Sequence, residues 1–201
     1  MEMLIAGLVI FLGIHSLRVW GEGLRSALLL RLGPMGFKGV YALASLAGLY
    51  VLVLGYAQAR LSPVPLWTPP HGMAHATAAL MWVGMVLVLA AEIPRNAIKA
   101  RLRHPTVLGV KVWATAHILA NGTAHDLLLF GSFLVWAVLS FRAARQRDRA
   151  AWAAGDMAQD PPTSRAATLL TLVAGTAVWV AFILVVHVWL VGVAPIAGMG
   201  I

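Results

Sequence analysis

Six long stretches of this chain run almost without a charge, at 3–20, 39–57, 72–91, 105–121, 124–141 and 168–193. A helix needs roughly 20 residues to cross about 30 Å of hydrocarbon, and each stretch comes close to that. Inside hydrocarbon the backbone must satisfy its own hydrogen bonds, so a lone apolar run of this length folds as a helix. Composition agrees: 61% of residues are apolar and 11% charged, against about 45–50% and about 25% in soluble domains. An ordinary water-soluble globule is excluded. The expected fold is all-α, a polytopic transmembrane bundle of six helices forming a single domain over 1–201. The first run opens with Met1-Glu2-Met3, has no basic start and no small-x-small site before Arg18. It is therefore expected to remain as a helix and not to be removed as a signal peptide.

Charge gives the orientation. Fifteen bases face seven acids, for a net charge of +8. Arg18, Arg25, Arg31 and Lys38 follow the first run, and Arg95, Lys99, Arg101 and Arg103 the third. Arg142, Arg145, Arg147, Arg149 and Arg165 follow the fifth. Only Arg60 falls on the opposite side, and Lys111 lies just inside the fourth run. This bias expects the odd loops in the cytoplasm and both termini outside. It also accounts for the positive charge without nucleic acid; the lipid bilayer is the expected partner. The low-hydropathy stretch 143–167 is expected as a basic cytoplasmic loop, a helix end followed by a flexible linker around Asp160-Pro161-Pro162. Between the fourth and fifth runs, Asn121-Gly122 is expected to end the helix in the left-handed conformation.

Function must rest on the few polar groups in the apolar runs. The acids all lie at run ends or in loops, so no carboxylate relay crosses the membrane. Glu22 and Glu92 are expected in local ion pairs with neighbouring arginines. The histidines differ: His15, His75, His117 and His187 fall inside runs, and His71, His104 and His125 at their edges. One buried histidine is an ordinary helix contact; four in one apolar bundle suggest ligands, because neutral imidazole binds iron, copper or zinc without a compensating carboxylate. There are no cysteines, which excludes disulfides, thiolate sites and covalent Cys-x-x-Cys-His haem, and leaves non-covalent haem as the natural cofactor. Depth along the helices pairs His117 with His75 or His187, while His15 lies near the other end of its run.

Several motifs occur together in order: Gly13-Ile14-His15-Ser16 with Arg18 and Trp20-Gly21-Glu22, then Leu66-Trp67-Thr68-Pro69-Pro70. After these come Arg103-His104-Pro105-Thr106-Val107-Leu108-Gly109 and the run from Trp113 through His117 to Asn121-Gly122. Over about residues 3–190 the chain resembles the NnrU family. That resemblance implies a multi-pass protein of the bacterial inner membrane linked to nitrite and nitric oxide metabolism in denitrifiers. The plant zeta-carotene isomerases resemble the same family and carry haem b. Their His-Ser and Ala-His motifs match His15-Ser16 and Ala116-His117, which implies His15 and His117 as axial ligands, with His75 as the substitute. Ala114 stands where those isomerases have a cysteine, so thiolate ligand exchange and carotene isomerisation do not carry over.

The Arg-His-Pro segment is also similar to membrane methyltransferases that use S-adenosylmethionine. Those continue to a Glu-Glu pair; here Arg142, Arg145, Arg147 and Arg149 surround the single Asp148, so the likeness implies a shared fold but not shared chemistry. Arg103, His104, Asn121 and Gly122 join the candidate cofactor-binding residues. The leading expectation is a haem-b protein of nitrogen-oxide metabolism. The alternatives are a membrane enzyme on a lipid-soluble substrate (a haem-dependent isomerase or a methyltransferase) and a non-catalytic assembly factor for a nitrite or nitric oxide reductase, whose components are the expected protein partners.

Overall fold

The structure, a computed structural model, describes residues 1–156 and 161–196 and is all-helical, 81% helix, with no strand among the described residues. In order the helices are α1 (Glu2–His15), α2 (Leu17–Trp20), α3 (Glu22–Arg60), α4 (Met73–Glu92), α5 (Ala97–Leu102), α6 (Pro105–Ala120), α7 (Ala124–Ala153) and α8 (Arg165–Ala181). A π-helical turn (Phe182–Val186) then leads into α9 (His187–Val191). Four helical stretches are long and apolar enough to cross a membrane: α3, α4, α7 and the continuous run Arg165–Val191. The other two apolar runs fold as the 14-residue α1, extended by α2, and the 16-residue α6. At 1.5 Å per residue these span about 21 and 24 Å.

The chain forms two compact units. The first comprises Met1–Thr68 and Gly122–Arg147. Here α1 runs antiparallel to α3, with Gly7 against Leu52, Phe11 against Gly48 and Leu4 against Gly55. The α3 positions that face α1 recur as Tyr41, Ser45, Gly48, Leu52, Gly55 and Ala59, the three-and-four spacing of one helix face. Glycine at Gly55 is required by packing, because a Cβ there would collide with the α1 backbone at Leu4. Leu4, Leu8, Leu52 and Ala59 form the buried contact between the two helices.

The second apolar run was expected to begin at 39, whereas α3 reaches back to Glu22. It breaks at Gly33 (φ 67°, ψ 171°), followed by Pro34, which has no N–H to donate. The helix before the break is invisible to a hydropathy reading because Arg25 and Arg31 dilute its leucines. As expected, Glu22 pairs locally, its carboxylate accepting from Arg25 at 2.7 Å.

The loop after α3 is held in place by backbone bonds. Leu66 and Trp67 both donate to the Gly122 carbonyl, Ala124 donates to Val64, and Pro65 and Thr123 form an isolated β-bridge.

The second unit comprises Pro69–Asn121 and the chain from Asp148 onward. In it α4 and α6 pack antiparallel with Gly84 against Gly109, and Thr77 Oγ1 donates to the Ala116 carbonyl at 3.1 Å. α8 packs on α4 at Gly175, where a Cβ would lie 2.8 Å from the Val86 backbone. Asn96, fully buried, caps α5 by accepting from Lys99 N at 2.7 Å. The expected basic loop begins as helix, since α7 continues to Ala153; of the linker beyond it, 157–160 lie outside the described residues.

Candidate functional site

His15 is the last residue of α1 in the first unit, and Phe11, one turn earlier, sets its ring. The His15 Nδ1–H donates to the Phe11 carbonyl at 2.6 Å, and the two rings lie tilted by 32° with centroids 4.2 Å apart. Tyr41 of α3 meets the imidazole edge-on at 5.4 Å and Trp136 of α7 at 6.2 Å. With Nδ1 protonated, Nε2 carries the lone pair, and it has no hydrogen-bond partner among the described residues. Three further polar atoms on these elements are buried without partners: Ser45 Oγ, Trp136 Nε1 and Ser140 Oγ. Ser45 lies one turn from Tyr41 on the face that α3 turns to α1, and Ser140 lies one turn from Trp136 on α7. Orphaned donors in an apolar bundle are costly, and Trp136, which carries one of them, meets the His15 imidazole.

His117 lies near the end of α6 in the second unit and repeats the arrangement. Its Nδ1–H donates to the carbonyl of Trp113, again an aromatic one turn earlier, at 2.9 Å, with ring centroids 5.5 Å apart. An N–H given to a carbonyl is how a metal-binding histidine is ordinarily oriented.

His75 stands on α4. From the pairing of Thr77 with Ala116 and Gly84 with Gly109, it lies level with His117 along the two helices, as the depth argument expected. Its side chain lines a cavity against α8. His187 is bound locally, Nδ1 to the Val193 carbonyl at 2.7 Å.

Arg103 and His104 sit at the opposite end of α6 from His117, thirteen residues or about 20 Å away. Arg103 takes φ 67°, ψ −49° and closes α5, a conformation uncommon outside glycine. His104 Nε2 lies 3.0 Å from Asp148 Oδ2, so the one acid among the arginines forms a pair there. The cofactor-binding candidates of this unit therefore divide between the two ends of one helix.

Asn121 departs from expectation. It ends α6 in an extended conformation, φ −120°, ψ 137°, and not a left-handed one, because its side chain turns back to donate to the His117 carbonyl at 3.0 Å. Gly122 serves through its carbonyl, which accepts the two loop amides of Leu66 and Trp67. Both residues shape the chain around the candidate ligands.

The sequence reading passed over one buried polar cluster in the first unit. Asp126, 5% exposed, accepts from the Tyr56 hydroxyl at 2.6 Å and the Thr123 hydroxyl at 2.6 Å. His125, equally buried, meets Tyr56 edge-on at 5.4 Å. The signal was present as Thr123-x-x-Asp126, a helix-capping pattern.

Compared with known proteins, the chain matches a family model described as NnrU protein over residues 3–195. No curated protein and no solved structure matches it.

Proposed function

The chain belongs to the NnrU family, and on that premise we propose that it binds haem b through His15 and His117 as a multi-pass protein of the bacterial inner membrane. The observation that carries this reading is the shared setting of the two imidazoles. Each donates Nδ1–H to the carbonyl four residues back and lies tilted against the aromatic ring at that position. Among the described residues no three His, Cys, Asp or Glu side chains group as a metal site. One or two imidazoles suffice only for a metal that brings its own equatorial ligands, as haem does.

Bound haem would supply one-electron chemistry. The chain does the rest. Phe11 and Trp113 fix the ring planes and tautomers, while Tyr41 and Trp136 shield His15. In this reading the protein crosses the membrane six times, α1 with α2 and the short α6 supplying two crossings, with both termini outside and the arginine-rich loops in the cytoplasm. It serves nitrite and nitric oxide metabolism, and components of a nitrite or nitric oxide reductase are its partners.

The test is a dithionite-reduced minus oxidised absorbance spectrum of the purified protein, from cells supplied with haem. Sharp α and Soret bands are expected, falling to background in both His15→Ala and His117→Ala. A colourless parent protein overturns the haem reading. Bands lost only in His117→Ala transfer the second ligand to His75 or His187.

A further inference from the structure

The second unit holds a cavity that the haem reading does not use, and from its chemistry we propose that it takes the ring of a lipid-soluble quinone. The cavity measures about 570 Å³, within the range of about 300–1,000 Å³ usual for small-molecule sites. Its walls are α4 and the α8 run, two of the helical stretches long enough to cross a membrane. Trp82 and Leu184 on its rim are 38% and 39% exposed. In the proposed six-span topology, on which this inference rests, an opening between these two helices faces hydrocarbon, so the occupant arrives through the lipid.

The lining defines that occupant further. Trp82 Nε1–H donates to Thr176 Oγ1 at 2.9 Å, and Trp179 Nε1–H donates to the Ala78 carbonyl at 2.8 Å. Both indoles are thereby locked across α4 and α8 with their N–H groups consumed, and what they offer the cavity is aromatic surface. His75, itself exposed, is the one ionisable side chain in the lining, and its imidazole has no hydrogen-bond partner among the described residues. Ile183, in the π-helical turn, forms part of the wall; such turns recur at functional sites.

Two fixed aromatic faces favour a flat π system, and an imidazole N–H can donate to a carbonyl acceptor. An acyl chain leaves the aromatic faces unused and a polyene hydrocarbon has no acceptor. A quinone, planar with ring carbonyls and a lipid tail, satisfies both.

The test uses the full chain in lipid nanodiscs with a photoreactive azidoquinone, the labelled residues mapped by mass spectrometry. Label is expected at 75–82 and 179–184, displaced by decylubiquinone but not by decanol, which has the tail without the ring. His75→Ala should weaken labelling about tenfold, the loss of one hydrogen bond, while His75→Gln, which keeps a donor, should label like the parent. Equal displacement by decanol identifies an acyl-chain groove and overturns the proposal. So does label elsewhere, label unchanged in His75→Ala, or label lost equally from both variants. Should His75→Ala fail to fold, the decylubiquinone and decanol competition on the parent protein decides alone.

Discussion

Asp126 shows how much one side chain can hold in an apolar bundle. Its carboxylate takes both the Tyr56 and the Thr123 hydroxyl, and at 5% exposure it leaves water little access to replace it. Asp126→Ala strands two hydroxyls, and each buried unsatisfied group costs about 1–3 kcal/mol. A loss of about 3 kcal/mol is therefore expected in thermal unfolding in detergent, against about 1 kcal/mol for Tyr56→Phe, which removes a single bond. Equal losses would mean that Thr123 adds nothing. At this scale the sequence was legible where chemistry is scarce: His15 and His117 stand out because imidazoles are conspicuous in apolar runs. Asp126 did not, because a carboxylate at the end of a run reads as solvated. Its burial comes from Tyr56, seventy residues away, and no local pattern reports such a contact. Asn121 was correctly placed at a helix end, but its conformation was set by a side-chain bond to His117 that the Asn-Gly dipeptide does not reveal.

At the scale of elements, the close approach of α1 and α3 is set by glycine. Gly55→Val places a branched side chain on the backbone of Leu4 and should cost at least about 2 kcal/mol, in the range of severe overpacking. Gly39→Ala, on the same helix with nothing within 4 Å of the new Cβ, should instead stabilise by about 0.5–1 kcal/mol through helix propensity. Unfolding midpoints of the two variants on either side of the parent would bear this out; two losses would mean that α3 packs differently. All six apolar runs were legible as helices, since hydrophobicity and length suffice for that. Their limits were less so. The helix before Gly33 needs no apolar run, and the break itself depends on one backbone torsion.

Over the whole molecule, the absence of cysteine makes the proposed orientation easy to test. Ser62→Cys and Asp156→Cys place single thiols at exposed positions in the loop after α3 and beyond α7. A membrane-impermeant maleimide should label Ser62→Cys in intact spheroplasts and Asp156→Cys only after lysis. Labelling of both from one side would remove a crossing and with it the six-span topology.

The clamp at the start of α7 has a consequence for biogenesis. Val64, Leu66 and Trp67 bond to Gly122 and Ala124, and Tyr56 bonds to Asp126, so α3 obtains these partners only after α4, α5 and α6 have been synthesised. A ribosome emits the chain in order, and until α7 emerges the Tyr56 hydroxyl lacks its Asp126 partner. Closing so long a loop carries an entropic cost that grows only slowly with length, so the clamp is a late event and not an improbable one. A chain stalled before residue 123 is thus marked by an exposed polar end on α3, a feature by which membrane quality control would distinguish an unfinished molecule from a complete one.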